Sequence, residues 1–178
     1  IKQYGQDLRT KYLEIFKEDT DLRDAALRYA TLTKTDKAAL GELVLDNLKG
    51  KLGIDPNTNI LVMVADRTDN IEDLVRQYLG ELGFATTENV KALAREIKSV
   101  IDNNYMGGSW SLTADKNLIF LNTGNPQLSN FDGYMTYLSH EMGHITQTIA
   151  PEVTSAPQIM AQTANYRGIG TDYMNNVV

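Results

Sequence analysis

Cysteine is absent from this 178-residue chain. That excludes a disulfide framework and any thiolate ligand, so a bound metal would have to be held by nitrogen and oxygen. No apolar run approaches the ~20 residues that a membrane-crossing helix needs, and no signal-peptide pattern opens the sequence. Basic clusters are scarce as well. The 17 Lys and Arg are outnumbered by 23 Asp and Glu, for a formal charge of -6, whereas a phosphate-binding surface needs clustered cations. The nearest approach to a cluster, Lys91, Arg95 and Lys98 at helical spacing, is expected to be a solvated helix face. A nucleic-acid partner and a membrane span are therefore not expected. With 42% hydrophobic and 22% charged residues, the composition is that of an ordinary globular domain. The first residue is Ile1 rather than Met, as expected of a processed product or a piece of a larger parent polypeptide.

Histidine is scarce too, and here the scarcity is informative. The two histidines fall within one five-residue string, His140-Glu141-Met142-Gly143-His144. Random placement would give two histidines four apart, with an acid directly after the first, roughly once in a thousand such chains. On a helix, residues four apart lie about 40° apart around the axis, which brings both imidazoles to one face where they can hold one metal ion. Glu141 lies between them and can work on a water bound to that ion.

The amino-terminal part reads as helical. Leu8, Tyr12, Ile15 and Phe16 recur at spacings of three and four, followed by Leu22, Ala26, Leu27 and Ala30 in a second segment. A third helix is expected from a cap at Thr35, carrying Leu40, Leu43, Val44 and Leu48 to a stop at Gly50 and Gly53. Ile60 to Ala65 is short, continuous and β-branched, the mark of a buried strand. Asp69 to Leu82 and Thr87 to Ile101 read as amphipathic helices. Ser109 to Thr113 and Leu118 to Leu121, joined by Ala114-Asp115-Lys116-Asn117, read as a β-hairpin. An apolar helix then runs from Phe131 through the histidine motif to about Ile149, with Pro151 beyond it and a last helix expected over Ala156 to Tyr166. The fold class expected is α+β, mostly helical, with a small sheet packed on the motif helix.

This arrangement of strand, helices, hairpin, motif helix and final helix resembles the zincin metallopeptidases, the broad H-E-x-x-H superfamily, loosely over Ile60 to Tyr166. Residues 1–53 are expected to form a helical segment and 54–178 a zincin-like metal-binding region, together one compact unit. The resemblance implies zinc as cofactor, His140 and His144 as metal ligands, and a peptide or protein substrate. It implies Glu141 as the general base that takes a proton from the metal-bound water. It also implies a strand just before the motif helix that pairs with extended substrate, a place held by Asn117 to Asn122.

A catalytic zinc keeps one position for water and takes three protein ligands, of which two are accounted for. The third-histidine pattern, H-E-x-x-H-x-x-G-x-x-H, is excluded, because Gln147 and Ala150 stand at the glycine and histidine places. The expected final helix carries Gln158 and Gln162 but no acid, which departs from the glutamate-ligand subgroup. After Glu141 only Glu152 and Asp172 are carboxylates. Asp172, in Gly170-Thr171-Asp172-Tyr173, partly resembles the Gly-Thr-x-Asp signature of aspartate-ligand zincins and is favoured over Glu152; a ligand beyond Val178 stays open. Tyr166 and Tyr173 are candidates by position for stabilising an oxyanion, against the alternative of packing residues with satisfied hydroxyls. Tyr134 and Tyr137 are expected in the core or on the helix flank, and Trp110 in packing or at a cleft rim.

Two functions are carried forward. The first is zinc-dependent peptide-bond hydrolysis. The second is a non-catalytic zincin-like binding or delivery module of a larger secreted bacterial exoprotein or polymorphic toxin, of the kind used in contact-dependent competition.

Overall fold

The computed structural model describes Lys11 and residues 14–149, apart from the side chains of Leu52 and of residues 147–149. Residues 14–18 are helical and bury Ile15 and Phe16. The first full helix, α1 (Thr20–Leu27), starts where the Asp19 carboxylate accepts the Leu22 N–H at 3.1 Å, relieving one of the unpaired amides at a helix start. A short 3-10 turn over Tyr29–Thr31 leads to α2 (Lys34–Leu52). The cap of α2 is Thr33, whose hydroxyl accepts the Asp36 N–H, and not Thr35 as expected; the helix runs through Gly50 and stops at Gly53.

Strand β1 (Asn59–Ala65) is followed by α3 (Ile71–Leu82), α4 (Thr87–Asp102), the hairpin of β2 (Gly107–Thr113) and β3 (Lys116–Asn122), and α5 (Phe131–Ile149). The sheet order is β1-β3-β2, with β1 parallel to β3 and β2 antiparallel to it. The class is thus α+β, a small three-stranded sheet among helices.

Side chains alternate across the pleat and divide the interior in two. On one face Ile60, Val62, Val64, Ile119 and Leu121 join a core with α1, α2 and α5. On the other, Met63, Ala65, Leu118 and Phe120 pack against α3 and α4. The first core crosses the expected boundary at residues 53 and 54: Leu45 and Leu48 of α2 share it with Tyr134 and Leu138 of α5. Two of the apolar residues that mark α1 and α2 in the sequence, Leu27 and Leu43, are 46% and 40% exposed.

Candidate functional site

Helix α5 is held by one face so that the adjoining face can present the motif. Phe131 meets Phe16 edge to face at 5.4 Å, and Tyr134 packs on Tyr29 at 5.1 Å while its hydroxyl donates to the Lys37 carbonyl. Leu138, Met142 and Ile145 continue that stripe at spacings of four and three and are fully buried. The helix begins at Asn130, whose side-chain carbonyl accepts the Gly133 N–H at 2.8 Å. A Cβ at Gly133 would lie 1.7 Å from the Gln127 carbonyl oxygen, so the chain can enter the helix this tightly only with glycine. Tyr137, buried as expected, donates its hydroxyl to the Gln127 amide oxygen at 2.6 Å.

His140, Glu141 and His144 project from the flank of this anchored stripe. The two imidazole Nε2 atoms stand 3.1 Å apart, with ring centroids at 4.8 Å in an edge arrangement. Two nitrogens each ~2.05 Å from one tetrahedral zinc would be ~3.3 Å apart, so the pair already approximates a chelate. Both histidines and Glu141 line one open cleft of about 730 Å³, together with Gly107, Gly108, Ser109 and Ser111 of β2. That volume suits a stretch of peptide or a small ligand. His140 is half-buried and His144 exposed, whereas Glu141 is 7% exposed.

Burial sets the electrostatics of Glu141. It pushes the carboxyl up to about 7, against the opposing effect of the hydrogen bond from the Ser109 hydroxyl. An acid near neutrality is matched to accepting and releasing protons at physiological pH. A dication beside it would favour the carboxylate and lower that value.

The wall strand supplies a second feature. The Asn122 N–H donates to the Met106 carbonyl at 2.8 Å. Counting on from that pair along the antiparallel register, Gly108 and Trp110 are bonded to β3, while the backbone groups of Gly107, Ser109 and Ser111 turn away from it. Among the described residues β2 ends the sheet. A Cβ at Gly107 would lie 2.2 Å from the Phe120 carbonyl oxygen, so glycine lets the start of the strand lie close on β3. The opposite edge of the sheet is closed at its centre: the Glu42 carboxylate accepts the Val62 N–H at 3.0 Å, and the Tyr78 hydroxyl donates to the Val62 carbonyl at 2.9 Å.

The strand expected to carry substrate, Asn117 to Asn122, cannot do so. As β3 it is hydrogen-bonded on both sides, to β1 and to β2, and its interior is fully buried. Among the described residues, the strand with a free side next to the motif is β2. Trp110 turns to the opposite face, packing with the α3 and α4 core and donating its indole N–H to Glu96 at 2.7 Å. Sequence reasoning also missed Ser109 and Ser111. Their signal was the alternation Ser109-Trp110-Ser111-Leu112, which puts both hydroxyls on the face away from Trp110. Two buried asparagines were missed as well. Asn122 donates to the Tyr105 carbonyl and Asn125 to the Asn104 carbonyl, tying the loop after β3 to the turn that enters β2.

Among the described residues no group of three or more His, Cys, Asp or Glu side chains could hold a metal ion. The expected third ligands, Asp172 and Glu152, and the tyrosines Tyr166 and Tyr173 lie outside the described residues, as do Pro151 and the last expected helix. No described helix is long and apolar enough to cross a membrane. Searches against protein-family models, curated proteins and solved structures found no match for this chain.

Proposed function

We propose that this chain is a zinc-dependent peptidase of zincin type, binding an extended peptide along the free side of β2 and hydrolysing it beside α5. The observation that carries the reading is one juxtaposition: paired imidazole nitrogens 3.1 Å apart, a buried carboxyl next to them, and a strand edge, unpaired among the described residues, lining the same cleft. An extended peptide adding to β2 would gain main-chain hydrogen bonds from Gly107, Ser109 and Ser111, the mode by which sheet edges recognise peptides without demanding one sequence.

His140 and His144 would hold zinc through Nε2, and their spacing fits that ion. Asp172 is proposed as the third ligand, with Glu152 the alternative. Bound there, zinc supplies a Lewis acid that makes water easier to deprotonate and a carbonyl easier to attack. The Glu141 carboxylate accepts the water proton and returns it to the leaving amine nitrogen, so the carboxylate is regenerated each turnover. Tyr166 or Tyr173 would stabilise the oxyanion.

The test is Glu141→Gln in the full chain. Zinc content is expected to stay at the wild-type level while cleavage of an unfolded protein substrate falls by roughly 100-fold or more, the usual range for a general base. Zinc-loaded wild-type protein that binds such a substrate without cutting it would instead favour the non-catalytic binding module.

A further inference from the structure

Strand β2 has two faces, and only one looks toward the histidines. Ser109 pairs with Ile119, on the α5 side of the sheet, whereas Gly108 pairs with Phe120 and Trp110 with Leu118, on the side of α3 and α4. An extended peptide added beside β2 would alternate in the same way, with side chains next to Ser109 and Ser111 turned to the cleft. The side chain between those two, next to Trp110, would turn to the far face. Because the Trp110 backbone bonds to β3, that position on the outer edge is a non-hydrogen-bonded pair, the closer kind, in which facing side chains touch.

Two groups on that far face are held in place. A Cβ at Gly108 would lie 2.9 Å from the Trp110 ring, so the indole lies along its own strand over a residue without a side chain. Its N–H donates to the Glu96 carboxylate of α4 at 2.7 Å, which fixes the ring and brings a negative charge to its edge. Trp110 is partly exposed and Glu96 exposed. Among the described residues no Lys or Arg forms an ion pair with Glu96. An aromatic ring beside a carboxylate without a counter-ion suits a basic side chain, whose methylenes rest on the ring while its charged head meets the carboxylate. Arginine fits better than lysine, because its planar head stacks and is more weakly hydrated. The formal charge of -6 on the chain favours a cationic ligand as well.

We infer that Trp110 and Glu96 form a specificity subsite for an arginine or lysine of the substrate, one residue removed from side chains that face the histidine pair. This rests on the peptidase reading above, from which it takes the extended peptide along β2. Neither residue lines the histidine cleft, so the subsite selects which peptide binds and leaves the metal ligands untouched.

The experiment uses the full chain and capped peptides of alternating serine and threonine that differ at one central residue: arginine, norleucine or glutamate. Trp110 is the single tryptophan, so its emission reports binding at this place without any need for cleavage. Wild type is expected to bind the arginine peptide about fivefold more tightly than the norleucine peptide, the size of an exposed cation–π contact together with an exposed ion pair. The glutamate peptide is expected to bind least. Glu96→Gln keeps an acceptor for the indole N–H and removes the charge; the ratio of arginine to norleucine affinity is expected to fall below about twofold. In kcat/KM for cleavage, Trp110→Leu is expected to lose the arginine preference too. An arginine advantage that survives Glu96→Gln, a preference for norleucine, binding that leaves the Trp110 emission unchanged, or no binding of any peptide would overturn the inference. If the Glu96-dependent preference appears and nothing is cut, the hydrolytic reading falls and the subsite stands. If peptides are cut equally well whatever the central residue, the hydrolytic reading stands and the subsite falls.

Discussion

A single side chain can be legible in sequence as a type and still be illegible as an environment. His140, Glu141 and His144 were recognisable from spacing alone, because a helix puts residues four apart on one face whatever surrounds them. The burial of Glu141 and its serine partner were not, since both depend on β2 lying across the cleft. The same holds for Asp66, at the end of β1. Burial would raise its carboxyl, but the hydroxyl and N–H of Thr68 and the ammonium of Lys34 at 3.0 Å outweigh that and hold it down at about 2. A folded-state pKa below the ordinary carboxylate value stabilises the fold above that ordinary value and loses its contribution as pH falls through the lowered one. Thermal melts are thus expected to show wild type losing stability between about pH 4 and about pH 2 more steeply than Asp66→Asn, which has no proton to take up there. Parallel curves for the two proteins would show that the Lys34 and Thr68 contacts contribute nothing to folding.

Elements were more legible than their order. The motif helix, β1 and α4 lie close to where periodicity and caps put them. The cap of α2 was misplaced by two residues, although Thr33-Lys34-Thr35-Asp36 has the hydroxyl-to-acid spacing of a capping pair at Thr33. The larger error was to give the substrate to β3. A hairpin pattern fixes which strands pair but not which of them a third strand joins. The residues did hold a clue: Leu118 to Leu121 is apolar without alternation, as in a strand covered on both faces, whereas β2 alternates serine with Trp110 and Leu112. If β2 is the peptide-binding edge, a substrate N-methylated at a residue whose N–H faces the Ser109 or Ser111 carbonyl loses one backbone hydrogen bond. Its KM is expected to rise about three- to tenfold, the equivalent of one net hydrogen bond, while methylation at the adjacent residue, whose N–H points away, has little effect. Equal effects at both positions would remove β2 from the binding role.

At the scale of the whole molecule the two edges of the sheet are treated differently. Beside β1, Glu42 and Tyr78 occupy the outward groups of Val62, the usual defence against unwanted strand pairing. Beside β2, which ends the sheet among the described residues, the strand lines the same cleft as the histidine pair, where the proposed function would use its edge as a binding track. A core running from Ile15 and Phe16 through α2 to Ile145 of α5 holds the motif helix against that sheet, so the site depends on amino-terminal residues that carry none of its chemistry. The most direct measurement is zinc per chain by elemental analysis of the purified full-length protein, alongside His140→Ala, His144→Ala and Asp172→Ala. About one zinc per chain in wild type, lost in both histidine variants and reduced in Asp172→Ala, is the result expected. Wild-type protein that takes up no zinc when it is supplied, or that keeps it without His140 and His144, would contradict the reading of α5 as a metal-binding helix.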